Sequence, residues 1–122
     1  MPGTKRINAI FIYVSNMETM KTFYQEVMGL GKPVVETDLW VEYALEGAHL
    51  ALHQSDPRIR EKLDASKNTI KFSIEVDNIA DFCARLKSKS VEIVFGPRKD
   101  FGSLLAEFKD PEGNLLRLIQ LI

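Results

Sequence analysis

INAIFIYVSN at residues 7–16 and TIKFSIEVDN at residues 69–78 are the two stretches that decide the fold. Ile10, Ile12 and Val14 alternate in the first, and Phe72, Ile74 and Val76 alternate in the second. Apolar residues at every second position mark a strand with one buried face. A constant offset of 62 residues carries Ile10 onto Phe72 and Asn16 onto Asn78, so the chain repeats itself at about half its length.

Each strand runs into a helix-start signal. Asn16 and Asn78 are suited to cap the first unpaired backbone N–H groups of a helix. Met17, Met20, Tyr24 and Val27 then follow at three- and four-residue steps, and Gly29 is placed for a left-handed C-cap. The second helix is expected over about 79–87, with Ile79, Phe82, Cys83 and Leu86 on one side. Cys83 therefore reads as a small core residue rather than a reactive thiol.

Outward from each helix lie three short strand candidates divided by turn residues: 33–37, 39–45 and 49–53, then 91–95, 103–108 and 115–121. Asp110-Pro111-Glu112-Gly113 is a turn because Pro presets φ and Gly accepts positive φ. Both halves thus read β-α-β-β-β. Module one covers about 5–54, a polar connector with Pro57 covers about 55–68, and module two covers about 69–122. One such unit has too little core to stand alone, so residues 1–122 are expected to form a single α+β domain.

Hydrophobic residues at 45% and charged residues at 27% fit a globular chain rather than a disordered one. The net charge of −1 with mixed signs gives no basic stripe, which argues against nucleic acid and anionic membranes as partners. No apolar run approaches the roughly 18 residues that span a bilayer. The amino terminus carries no signal region, and one cysteine forms no internal disulfide, so a cytoplasmic location is expected.

The tandem βαβββ pattern resembles the vicinal-oxygen-chelate superfamily of glyoxalases, bleomycin-resistance proteins, extradiol dioxygenases and fosfomycin-resistance enzymes. Residues 108–118, FKDPEGNLLRL, are similar to that family's strand–DP(D/E)G–strand hairpin. Phe23-Tyr24, Gly29-Leu30-Gly31 and Phe101-Gly102 match further positions in order. The resemblance implies curved mixed sheets, helices on the convex side, a concave ligand cavity and a homodimer.

It also implies four metal-ligand positions, which fall here on Ala9, Ala51, Lys71 and Arg117. Two of these carry no donor atom and two are ordinarily cations, so no metal and no cofactor are expected. His49 and His53, four residues apart on one strand, stand about 13 Å apart and do not share an ion. A site joining either histidine to Glu42 or Glu107 remains as an alternative.

In place of metal ligands, strand parity turns Phe11, Tyr13, Trp40, Glu42, His49, His53, Lys71, Ser73, Glu75, Leu105, Glu107 and Arg117 toward the implied cavity. The candidate ligand-binding set is Trp40, Glu42, His49, His53, Lys71, Glu107 and Arg117. Lys71 and Arg117 either anchor an anionic ligand or pair with Glu42, Glu75 or Glu107 in place of the metal. Trp40 and, more readily, Tyr43 have an alternative reading as core or dimer-interface residues. The function expected is metal-free binding of a small molecule, similar to the antibiotic-sequestering bleomycin-resistance branch. The alternatives are a glyoxalase-like lyase, isomerase or dioxygenase acting on a small metabolite, and an interaction domain that kept only the fold.

Overall fold

The computed structural model describes residues 3, 6–55, 72–100 and 102–122. The chain divides into two compact units, Met1–Leu63 and Asp64–Ile122. The expected connector beyond Ser55, along with Lys71 and Phe101, lies outside the described residues.

In the first unit, β1 (Ala9–Val14) leads into α1 (Met17–Thr22), followed by β2 (Val35–Glu36), β3 (Trp40–Tyr43) and β4 (His49–Gln54). The strands form one mixed sheet in the order β1-β4-β3-β2, with β1 parallel to β4 and the other neighbours antiparallel. Asn16 caps α1 as its sequence position predicts, its side chain accepting from the Thr19 N–H at 3.1 Å. The helix then widens into a π-helical turn over Phe23–Val27, where the Met28 N–H reaches the Phe23 carbonyl at 2.9 Å. Gly29 follows at φ 79°, the left-handed geometry expected of it.

Met20 and Tyr24 on the helical segment are fully buried, as are Val14, Val41, Tyr43 and Leu52 on the strands. Burying a side chain such as Leu52 contributes about 1.5–3 kcal/mol. The Tyr43 hydroxyl donates to Gln25 Oε1 at 3.2 Å, which satisfies its one polar group inside this core. Burial pushes its phenol up to about 12.

The second unit repeats the pattern. β5 (Ser73–Glu75), α2 (Ile79–Ser88), β6 (Ile93–Asp100), β7 (Ser103–Lys109) and β8 (Leu115–Leu121) give the sheet order β5-β8-β7-β6, again with the outer pair β5/β8 parallel. Asn78 caps α2 by accepting from the Asp81 N–H at 3.0 Å. Ile79, Cys83 and Leu86 bury the inner side of α2, and Phe108, Leu116 and Leu118 are buried on the strands. Cys83 is thus the core residue its spacing predicts, and burial pushes its thiol up, away from reactivity. The 110–113 turn is held by Asp110, whose Oδ1 accepts from the Glu112 and Asn114 N–H groups at 3.0 and 2.9 Å.

β6 departs from its expected bounds of 91–95. It continues to Asp100 through Gly96 and Pro97, with register shifts on either side of Phe95. Gly96 has φ 86°, and a Cβ there would strike the Leu105 carbonyl oxygen and lie 2.8 Å from Ala106 Cα. Gly96→Ala therefore combines backbone strain with overlap against β7. Urea unfolding is expected to show a loss of about 2–4 kcal/mol; unchanged stability would contradict this close approach.

Candidate functional site

Register sorts the side chains of the first sheet into rows. On the face opposite the Leu50 and Leu52 side chains, Tyr13, His53 and Trp40 form one row across β1, β4 and β3. Phe11, Ala51 and Glu42 form the next, and Ala9 and His49 a third. The first two rows bring four rings together. Phe11 lies 5.4 Å from Tyr13, 5.5 Å from Trp40 and 5.8 Å from His53, while the His53 ring is 5.2 Å from Tyr13 and 5.6 Å from Trp40. Such spacings are attractive between tilted and edge-on rings. Phe11, on the edge strand β1, nevertheless remains 47% exposed.

Glu42 joins this aromatic group to a histidine. Its Oε1 accepts from Trp40 Nε1 at 2.9 Å, and its Oε2 bonds His49 Nδ1 at 2.5 Å. The Trp40 bond and then the His49 bond hold the Glu42 carboxyl below the usual carboxylate range. A carboxylate accepts only, so the shared proton belongs to His49 Nδ1, which makes Nε2 the acceptor in the neutral ring. His53 Nδ1 is buried and has no hydrogen-bond partner among the described residues.

On the second sheet the matching row is Ser73, Arg117 and Glu107. Arg117 Nη2 donates to Glu107 Oε1 at 3.2 Å, with the Glu107 side chain 11% exposed and that of Arg117 36% exposed. Of the partners weighed for Arg117, Glu107 is the one it meets. Phe95 continues the row opposite Glu107, and the Arg98 guanidinium lies 4.2 Å from the Phe95 ring centre. The Phe95–Arg98 contact was not legible in sequence, because Gly96-Pro97 reads as the end of the strand.

Trp40, Glu42, His49 and His53 therefore share one face of the first sheet, Glu107 and Arg117 share one face of the second, and Lys71 lies outside the described residues. Phe11 and Tyr13 belong with the first group; their alternation with Ile10, Ile12 and Val14 was the signal for them. A groove of about 440 Å³ at the start of α2, lined by Glu75, Asp77, Asn78, Asp81, Phe82 and Arg85, contains none of the candidates.

The positions implied for a metal do not fit one. Ala9 stands opposite His49, and Ala51 stands between Phe11 and Glu42, neither offering a donor. At the last position, Arg117 presents a cation that is already ion-paired. Among the described residues, no group of three or more His, Cys, Asp or Glu side chains is placed to hold a metal ion.

Two outcomes follow from this geometry. Arg117→Met leaves Glu107 without its cation and is expected to cost about 1–3 kcal/mol at neutral pH by urea unfolding. Unchanged stability would contradict a structural ion pair. For Glu42, a depressed folded-state pKa contributes stability above the unfolded value, and this is lost as pH falls through the folded value. A carboxyl carbon NMR titration is expected to place the Glu42 midpoint below the ordinary glutamate value of about 4.3. A midpoint above it would contradict the double hydrogen bond.

Comparison with known proteins gives the family. The model of the Glyoxalase/Bleomycin resistance protein/Dioxygenase superfamily matches residues 6–118. The metallothiol transferase FosB of Staphylococcus haemolyticus (strain JCSC1435) is 30% identical over 115 residues, covering 93% of this chain and 82% of FosB. Among solved structures, TnmS3, an antibiotic binding protein from Streptomyces sp. CB03234, matches with a TM-score of 0.77 and 22% identity over 100% of both chains. Lactoylglutathione lyase from Agrobacterium tumefaciens matches with a TM-score of 0.72 and 19% identity, over 98% of this chain and 96% of its own. With its paired βαβββ units and this match across nearly its whole length, the chain belongs to the glyoxalase/bleomycin resistance protein/dioxygenase superfamily.

Proposed function

We propose that this protein binds a small molecule without a metal ion and without converting it, in the manner of the bleomycin-resistance branch of its superfamily. The observation that carries the reading is the aromatic group of Phe11, Tyr13, Trp40 and His53 on one sheet face, with Phe11 47% exposed and Glu42 beside it. Rings held by one another lose little freedom on binding, so they offer a preorganised surface to a planar ligand. The antibiotic-binding description of TnmS3 supports the same class of ligand. A homodimer is part of this proposal, with Val34, Val35 and Leu39 around the edge strand β2 exposed and available for a second copy.

The enzymatic reading draws on different features. FosB is a metallothiol transferase, and the Agrobacterium structure is a lactoylglutathione lyase. A metal ion in such chemistry polarises substrate oxygens. Ala9, Ala51 and Arg117 do not supply its ligands, which weighs against a lyase, isomerase or dioxygenase of that kind. The Glu42–His49 pair is the one observation that favours catalysis, as a metal-free acid–base pair.

Thermal-shift screening against antibiotics and metabolites tests the binding reading, since a ligand of the folded state raises the apparent melting temperature by mass action. Trp40 is the single tryptophan of the chain, so its fluorescence reports directly on the proposed surface. Stabilising ligands are expected to perturb Trp40 emission and to be recovered unaltered. Turnover of the bound compound, or stabilisation with Trp40 unaffected, would overturn this reading.

A further inference from the structure

The two sheets carry the same carboxylate in the same place, but only one carries its cation. In the second sheet, Glu107 on β7 is paired in register with Arg117 on β8, and Arg117 with Ser73 on β5. In the first, Glu42 on β3 is paired with Ala51 on β4, and Ala51 with Phe11 on β1. Phe11–Ala51–Glu42 is therefore the counterpart of Ser73–Arg117–Glu107. Where the second row has a guanidinium on its glutamate, the first has a methyl group beside an exposed aromatic ring.

Glu42 is not left without partners, yet the partners it has are incomplete as a counter-charge. Trp40 Nε1 and His49 Nδ1 each donate one hydrogen bond, one to each carboxylate oxygen. An ionised carboxylate accepts about four, so about two directions remain. None of the positions on this face in β1 to β4 is Lys or Arg, so no fixed cation stands against Glu42 there. The neighbouring rings reinforce the same sign, because an aromatic face attracts positive charge. Phe11, 47% exposed, and Trp40 stand with ring centres 5.5 Å apart beside Glu42.

We propose that the ligand of this face is a planar cation with a fork of N–H donors, such as a guanidinium, an amidinium or a protonated aminoheterocycle. It donates to Glu42 as Arg117 Nη2 donates to Glu107 Oε1, while its flat body stacks on Phe11 and Trp40. This rests on the small-molecule binding reading and gives that ligand its charge and shape. The second sheet serves as the internal template: Arg117 sets a guanidinium on Glu107, and the corresponding row of the first sheet has no such donor for Glu42.

The test uses three probes of one shape: naphthalene-2-carboxamidine, its neutral carboxamide and its carboxylate. Calorimetry gives their affinities, and the single Trp40 indole N–H resonance reports whether each meets this face. The amidine is expected to bind roughly tenfold or more tighter than the amide, with the carboxylate weakest, and to shift the Trp40 signal. In Glu42→Gln the amidine is expected to lose its preference over the amide, the two binding with equal affinity. Equal wild-type affinities for amidine and amide would overturn the proposal without any variant. So would a carboxylate preference, or an amidine preference that survives in Glu42→Gln. In each of those cases a Trp40 shift by the amide leaves the aromatic surface standing as a binding site for another chemistry. A Trp40 signal unmoved by all three probes would overturn both the proposal and the reading beneath it.

Discussion

Parallel pairing of the first strand of each unit with its last is the constraint from which the rest of the structure follows. β1 lies on β4 and β5 lies on β8, and the antiparallel hairpins β3/β4 and β7/β8 are built outward from them. Side chains alternate across a strand, so a slip of one residue would turn every apolar side chain of that strand to the wrong face. Leu50 and Leu52, and again Leu116 and Leu118, lock the register by being buried. Once they are fixed, the alternate positions are fixed too. Ala51 must then share its face with Glu42, and Arg117 must share its face with Glu107.

That dependence explains why so much of the fold was legible. The offset of 62 residues, the Asn16 and Asn78 caps and the Asp110 turn are local signals, and each does in the structure what its chemistry predicts. What was not legible depends on contacts between strands. Gly96-Pro97 looks like a strand end, yet β6 passes through it because Gly96 lets the backbone approach β7 closely. The π-helical turn at Phe23–Val27 has no sequence signature, since its apolar spacing fits an ordinary helix equally well. The bounds of β2 are Val35–Glu36, because only these two residues pair in register with β3, through Glu42 and Val41.

The candidate site divides along the same line. Parity alone put Trp40, Glu42, His49 and His53 on one face, and the register keeps them there. Parity did not say that Glu42 would take both Trp40 and His49, because that depends on how the hairpin between Tyr43 and His49 aligns two strands. Nor did it choose among Glu42, Glu75 and Glu107 as the partner of Arg117, a choice made by the β7/β8 pairing. The superfamily supplies the scaffold, and the side chains on these faces supply whatever is done with it. Here Ala9 and Ala51 remove donors where a metal would need them, and Arg117 spends its charge on Glu107.

The claim on which the functional reading turns is that these substitutions replaced metal chemistry with ligand capture. Elemental analysis of the purified protein after incubation with zinc, nickel, manganese and iron, followed by gel filtration, tests it most directly. The account predicts that none of these metals is retained in proportion to the protein. Retention of one metal ion per chain would contradict it.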